Sequence, residues 1–277
     1  MPELPEVETI RRQLAPHVLG QEILAARVTR ARAVRSHPTI DDFITRIVHR
    51  RIDAVIRRGK ALLFLLDHDY SLLVRLGMSG RLLLSTPAMP LAPHTHVVLQ
   101  LSSGDELRFV DPRTFGLMAV VDGHDPDRMI ELGHYGLEPL EEGFTVAALQ
   151  VLLAGKRALV QAVLMDQTKI AGIGKIYADE ACFLAGIHPE RPALSVTGEE
   201  AARLRQAIRD VLTRSIAVRG TSSLDKAYRD ADGQTGDFQH QLHVYQREGQ
   251  PCRICGTLIE YRPFQGRRMH FCPHCQR

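Results

Sequence analysis

The chain opens Met1-Pro2-Glu3-Leu4-Pro5-Glu6-Val7-Glu8-Thr9-Ile10-Arg11. Two prolines and three carboxylates ahead of an apolar repeat mark a helix start. Proline is preset for the first turn, and carboxylates face the positive end of the helix dipole. Val7, Ile10, Leu14 and Val18 then recur at spacings of three and four, so one face of a helix ending near Gly20 is apolar. The same stretch admits a chemical reading. Removal of Met1 would leave Pro2 as a secondary amine. An α-amino group has a pKa of about 8, so part of it is neutral at physiological pH. It can then attack an electrophilic carbon as lysine does in Schiff-base enzymes. Taken alone, helix punctuation accounts for these residues, and the case for chemistry has to come from elsewhere in the chain.

Beyond Glu22 the pattern changes to short apolar or alternating runs: Ile23 to Val28, Ile52 to Ile56, Leu62 to Leu66, Leu72 to Leu76, Leu82 to Leu84, His96 to Leu101, Leu107 to Val110 and Leu117 to Val121. Strands at this spacing suggest an antiparallel sandwich or barrel, interrupted by one short helix near Asp42 to Val48. A turn-rich acidic stretch from Gly123 to Gly143 marks a domain boundary. Downstream the periodicity is helical over Val146 to Leu153, Ala158 to Asp166 and Lys175 to Ala185. A longer helix follows a capping box at Thr197 and Glu200. The polar stretch from Arg219 to Gln241 has no periodicity, and a loop of that length is either disordered or functional.

The 277 residues are 44% hydrophobic and 24% charged, an ordinary globular composition. No apolar run approaches the roughly 18 residues of a membrane span, and the acidic start is unlike a secretory signal, so a cytoplasmic location is expected. The net charge of +3 averages over segments of opposite sign. Residues 1–60 hold 12 basic and 7 acidic side chains, whereas residues 61–149 hold 5 and 12. A basic face is compatible with nucleic acid, since phosphate contacts supply most non-specific affinity, although a solvated surface is the more common explanation.

Cys252-x2-Cys255 and Cys272-x2-Cys275 form the strongest local motif. Two such pairs match the tetrahedral demand of Zn²⁺. With four thiolates the metal keeps no open position, so one structural zinc is expected. Disulfides are disfavoured in a cytosolic chain. Cys182 lies in an apolar helical run and reads as core, and the cysteine count does not require His270 or His274 as ligands. Arg262, Arg267 and Arg268 lie between the two pairs, where a metal-pinned hairpin could present them to a nucleic-acid backbone. Gly172-Ile173-Gly174-Lys175 opens a helix and leaves N–H groups for a phosphate or for a plain turn. Met78 in Leu76-Gly77-Met78-Ser79-Gly80, and Arg113 and Phe115 in Asp111-Pro112-Arg113-Thr114-Phe115-Gly116, sit in glycine-flanked loops rather than at strand centres. Wedges that enter a base stack have that character, although core packing is the default for any one of them.

Together these pieces resemble the bacterial formamidopyrimidine-DNA glycosylase family over essentially the whole chain. The opening Pro2 to Thr9, the Leu76 to Gly80 loop, the Gly172 to Glu180 segment and the four-cysteine tail occur in the family's order. Leu4, where the related endonuclease VIII branch usually has glycine, and the Met78, Arg113, Phe115 set place the chain on the oxidised-purine side. The resemblance implies an α+β fold. Its parts would be an N-terminal helix with an antiparallel β-sandwich over 1–135, a helix-two-turn-helix domain over 136–240 with a lesion-capping loop at 219–241, and a zinc ribbon over 241–277.

The implied activity is removal of 8-oxoguanine and formamidopyrimidines from duplex DNA, with AP lyase activity by β,δ-elimination. By resemblance, Pro2 attacks C1′ and forms an iminium, and Glu3 is the general acid/base. Glu6 caps the helix, Lys60 is the catalytic-site lysine that holds a phosphate flanking the lesion, and Arg267 grips the same phosphates and takes part in δ-elimination. Met78, Arg113 and Phe115 fill the space the flipped nucleotide leaves, with Arg113 pairing with the orphaned cytosine. His94, Lys156 and Arg157 match further backbone contacts. The chain is expected to act as a monomer in a bacterial cytoplasm, with double-stranded DNA as partner.

Two positions depart from the family: Lys175 where asparagine is almost invariable, and Met269 where threonine is usual. The first exchanges a fixed amide for a donor-only ammonium on a long stem. Other readings are an endonuclease VIII-like glycosylase for oxidised pyrimidines, a non-catalytic protein binding damaged DNA, and a zinc-ribbon RNA-binding factor.

Overall fold

The computed structural model describes residues 2–222, 228–264 and 266–277. Met1 and residues 223–227, the latter inside the expected capping loop, lie outside the described residues. The chain divides into two compact units: Met1–Gly133 with Val218–Asp237, and His134–Ala217 with Phe238–Arg277.

The first unit begins with helix α1 (Leu4–Val18), whose apolar stripe Val7, Ile10, Leu14 and Val18 is completely buried. Eight strands follow, at the short apolar or alternating runs: β1 (Ile23–Val28), β2 (Ile52–Arg58), β3 (Ala61–Leu66), β4 (Tyr70–Arg75), β5 (Arg81–Ser85), β6 (Thr95–Leu101), β7 (Glu106–Val110) and β8 (Leu117–Asp122). They form two four-stranded antiparallel sheets, ordered β1-β6-β7-β5 and β2-β3-β4-β8. The short helix α2 (Ile40–Ile47) is capped by the Thr39 hydroxyl, which accepts from Asp42 N at 3.0 Å.

One apolar core joins both sheets to α1 and α2. It includes Leu14, Phe43, Phe64, Val74, Leu99 and Phe109, each at most 1% exposed. Tyr228 and Ala231, from the polar stretch after residue 218, belong to this core as well. That stretch is stitched down by Leu84 N to Ala231 O at 3.0 Å and Gln13 Nε2 to Asp230 Oδ2 at 2.9 Å.

The second unit is helical: α3 (Val146–Leu153), α4 (Val160–Met165), α5 (Lys175–Ala185) and α6 (Gly198–Ala217), followed by the ribbon β9 (Glu260–Phe264) and β10 (Arg267–Phe271). Helix α4 is shorter at both ends than the predicted Ala158 to Asp166. Leu159 takes an extended conformation as N-cap, and Asp166 turns out of the helix with ψ 106°. Cys182 is fully buried in α5, and burial pushes its thiol pKa up. No described helix is long and apolar enough to cross a membrane.

The start of α6 is fixed by the predicted capping box, with Thr197 N donating to Glu200 Oε2 at 2.9 Å and Glu200 N to Thr197 Oγ1 at 3.3 Å. Arg191 grips the same carboxylate with both terminal nitrogens at 2.6 and 2.9 Å. The Arg191 hydrogen bonds hold the Glu200 pKa down to about 2. A carboxylate depressed in the folded state adds stability that is present above its ordinary pKa and is lost as pH falls through the folded value. Glu200→Gln is therefore expected to destabilise the protein above the ordinary value of 4.5, with the deficit shrinking as pH approaches about 2. Urea unfolding midpoints of the two proteins across that window provide the check.

Candidate nucleic-acid interface and catalytic residues

The residues nominated from the sequence fall on both units, and each unit presents its own set. In the first, Pro2 and Glu3 precede α1 and both are buried. Glu3 is the N-cap, in an extended conformation at φ −111°. Its backbone N–H donates to Glu6 Oε2 at 2.7 Å, while Thr221 N donates to Glu6 Oε1 at 2.8 Å. Glu6, 1% exposed, thereby ties the chain's first residues to the segment returning after residue 218. Gly220 makes room for that contact. A Cβ there would lie 2.7 Å from Glu6 Oε1, and its φ is +82°. Tyr228 closes the site, its hydroxyl donating to Glu6 O at 3.4 Å. Burial, then the Glu6 and Asp230 carboxylates, raise the Tyr228 pKa well above its ordinary value, so this phenol stays protonated.

Two residues further along α1, burial would raise the Glu8 carboxyl. Hydrogen bonds from Arg11 and Arg12 outweigh that and hold it below the ordinary carboxylate range. Arg57 Nε lies 3.5 Å from the same carboxylate. Gly59 and Lys60 then form the two-residue turn between β2 and β3, with Gly59 at φ +56° as a tight hairpin requires. Lys60 is half-buried there.

Met78, Arg113 and Phe115 are brought together. Met78 is 39% exposed and Phe115 47%, so neither is a core side chain. The Arg113 guanidinium sits 5.2 Å from the centre of the Phe115 ring. The loops touch backbone to backbone, since a Cβ on Gly77 would lie 2.7 Å from Gly116 N. Arg32 Nε and Arg35 Nη1 hold the Phe115 loop by donating to Thr114 O and Gly116 O at 3.0 and 2.6 Å. His94 is exposed with φ +66°, and its carbonyl accepts from Asp111 N at 3.0 Å.

In the second unit, Lys156 and Arg157 are exposed in the connection after α3. Gly174 is the N-cap of α5 and Lys175 its first residue. The Lys175 ammonium lies 2.6 Å from Asp179 Oδ2, one helical turn on, and the side chain is only 14% exposed. Asp179 is fully buried. It also accepts from Gln161 Nε2, from His270 N at 3.1 Å and from His270 Nδ1 at 3.0 Å. His270 is thus engaged away from the cysteines. Next in α5, Glu180 accepts three consecutive backbone N–H groups, from His243, Val244 and Tyr245, at 2.8 to 2.9 Å. Burial raises its pKa, and those three bonds oppose the rise.

The four cysteine sulfurs all lie within 4.8 Å of one another and can hold one metal ion. Arg267 lies in β10 opposite Phe264, and its side chain lies outside the described residues. Met269 is 1% exposed and packs as a buried side chain.

Sequence reasoning passed over Asp111, Ser79, Asp179 and Glu180. An aspartate before proline is a turn signal, and Lys175 with Asp179 is a readable i,i+4 pair, so signals for two of these were present.

Comparison with known proteins matches residues 1–118 to the formamidopyrimidine-DNA glycosylase N-terminal domain and residues 135–227 to the formamidopyrimidine-DNA glycosylase H2TH domain. A formamidopyrimidine-DNA glycosylase of Desulfitobacterium hafniense is 46% identical, and one of Geobacillus kaustophilus 43% identical, each over 277 residues and 100% of both chains. The solved MutM (Fpg) protein from Thermus thermophilus is similar with a TM-score of 0.88 at 42% identity, covering 99% of this chain and 98% of that one. Lactococcus lactis Fpg in complex with an abasic site containing DNA gives 0.89 at 32% identity, covering 99% of each chain.

The left-handed backbone at Gly220 and its closeness to Glu6 set a test of the N-terminal site. Gly220→Ala is expected to cost about 1–3 kcal/mol, from the positive φ and the displaced carboxylate together. Denaturant unfolding of the two proteins measures it.

Proposed function

The chain belongs to the formamidopyrimidine-DNA glycosylase family, and on that premise we propose that it excises oxidised purines, 8-oxoguanine and formamidopyrimidines, from duplex DNA and then cleaves the abasic strand by β,δ-elimination. The observation that carries this reading is the start of the chain, with Pro2 and Glu3 directly ahead of α1 and the Glu3 backbone held by the buried Glu6. Once Met1 is removed, the Pro2 nitrogen attacks C1′ of the damaged nucleotide, the bond from C1′ to the base breaks, and an iminium forms. That cation withdraws electrons from the sugar and makes elimination of the 3′ and then the 5′ phosphate feasible. Glu3 supplies and removes protons during sugar opening and elimination.

Lys60, His94, Lys156, Arg157, Lys175 and Arg267 serve as phosphate contacts, whose charge sets affinity and register rather than sequence preference. Met78, Arg113 and Phe115 occupy the space vacated by the flipped nucleotide, which offsets the few kcal/mol that extrusion costs. Residues 219–241 act as the loop over the extruded base. The functional division follows the sequence boundaries, a catalytic part over 1–135, a helical DNA-binding part over 136–240 and the metal hairpin over 241–277, with Val218–Asp237 of the second part packing in the first compact unit. The protein works as a monomer in the cytoplasm.

Cys252, Cys255, Cys272 and Cys275 hold one structural Zn²⁺. A tetrahedron with metal–sulfur bonds of about 2.3 Å places its sulfurs roughly 3.8 Å apart. The sulfurs of Cys252 and Cys275 are 3.9 Å apart and those of Cys255 and Cys272 3.5 Å. The ion supplies no chemistry to the reaction and fixes the hairpin that carries Arg267.

The activity is tested by release of free 8-oxoguanine from a labelled duplex. Glu3→Gln is expected to slow single-turnover excision by about 10²–10⁴-fold, the usual contribution of a positioned acid/base. Lack of free base with the unaltered protein would overturn the reading. Lys175, drawn toward Asp179, offers the phosphate a charge on a long stem rather than the fixed amide that the family resemblance leads one to expect. Lys175→Asn is expected to raise the single-turnover rate, with the amide taking over the phosphate contact so that DNA affinity changes by less than about twofold, and an unchanged rate would contradict this role. Stripping the metal with excess chelator is expected to make four thiols reactive and to weaken DNA binding, measured by thiol titration and fluorescence anisotropy.

A further inference from the structure

The two loops that carry Met78 and Phe115 leave different strands, yet they share one buried carboxylate. Asp111 is 1% exposed. Its Oδ1 accepts from the Ser79 hydroxyl at 2.7 Å and from Arg113 N at 3.3 Å, while Oδ2 accepts from Gly116 N at 2.7 Å. Ser79 follows Met78, and Arg113 and Gly116 bracket Phe115, so a single side chain holds both loops. The Ser79 oxygen in turn accepts from Arg113 N at 3.2 Å. The Asp111 backbone is fixed too, its N–H donating to His94 O at 3.0 Å and its carbonyl accepting from His96 Nε2 at 2.9 Å.

These contacts reach past the needs of a turn. A turn at Asp-Pro needs only the local bonds to Arg113 and Gly116. The bond to Ser79 spans 32 residues and links a different loop. The Gly77–Gly116 approach leaves no room for a side chain between the backbones, so the two loops meet as one surface with Met78 and Phe115 standing out of it.

We propose that Asp111, with Ser79, is a positioning residue for lesion extrusion, coupling the Met78 loop to the Arg113–Phe115 loop so that the wedge and the orphan-base contact enter the duplex as one rigid body. The inference rests on the glycosylase reading above. Its energetic basis is pre-organisation. Inserting side chains between base steps costs unstacking energy, and loops ordered beforehand add no further ordering cost. A buried carboxylate is suited to this because its acceptors are strongly directional and costly to leave unpaired. Asp111→Asn replaces one acceptor oxygen with a donor that faces either Gly116 N or the Ser79 hydroxyl. Ser79→Ala removes only the link between the loops.

The test compares two substrates under single-turnover conditions. One is a duplex with 8-oxoguanine opposite cytosine, which needs the full extrusion step. The other is a duplex with a pre-formed abasic site, which has no base to unstack. Both variants are expected to lower the ratio of excision rate to lyase rate by about fivefold or more, with Ser79→Ala retaining an unaltered melting temperature. A 2-aminopurine beside the lesion is expected to show slower fluorescence change on mixing. An unchanged ratio overturns the proposal, whether both rates fall together or neither falls. Failure of the glycosylase reading is distinguishable, because the unaltered protein would then release no base from the first substrate.

Discussion

A buried carboxylate at the first turn of the chain carries the rest of the arrangement. Glu6 accepts the Glu3 N–H with one oxygen and the Thr221 N–H with the other, joining residues 215 apart in sequence. An acceptor this deeply buried is costly to leave short of donors, and loss of one such hydrogen bond costs about 1–3 kcal/mol. The start of α1 and the segment after residue 218 are therefore held by the same interaction. Pro2 and Glu3 owe their placement to it, and Gly220 is the position that has to lack a side chain for it to form.

The same device recurs wherever a function-bearing segment must be held without a long stretch of regular structure. Asp111 holds the Met78 and Phe115 loops, Glu180 three consecutive N–H groups of residues 243–245, and Asp179 the backbone of His270 in the cysteine hairpin. Each is at most 1% exposed. Loops dock poorly through apolar contacts because their backbone polar groups need partners. A carboxylate accepting several N–H groups supplies those partners and specifies one conformation. Lys175 belongs to this pattern: its ammonium sits against Asp179 as a counter-ion, so one carboxylate joins the start of α5 to the hairpin.

Much of this was legible in the sequence. Short apolar or alternating runs placed all eight strands of the first unit, several of which are buried on both faces, and the Thr197–Glu200 pair marked the start of α6 correctly. The four cysteines announced their cluster through spacing alone. The return of residues 228–237 to the first unit was not legible, because the contacts of Ala231 with Leu84 and of Asp230 with Gln13 are long-range and the stretch itself is polar. Nor was Asp111, which reads as turn punctuation until Ser79 is seen beside it. Short-range spacing encodes helices, strands and metal ligands; partnerships between loops depend on topology, and one sequence does not display them.

The central claim is that the chain acts through the nitrogen of residue 2. Borohydride reduction during incubation with an 8-oxoguanine duplex, followed by mass spectrometry of the cross-linked peptide, tests this most directly. The expected result is a peptide that begins at Pro2, lacks Met1 and carries the sugar remnant on its N-terminal nitrogen. A cross-link on a lysine, or an intact Met1 on the active protein, would contradict it.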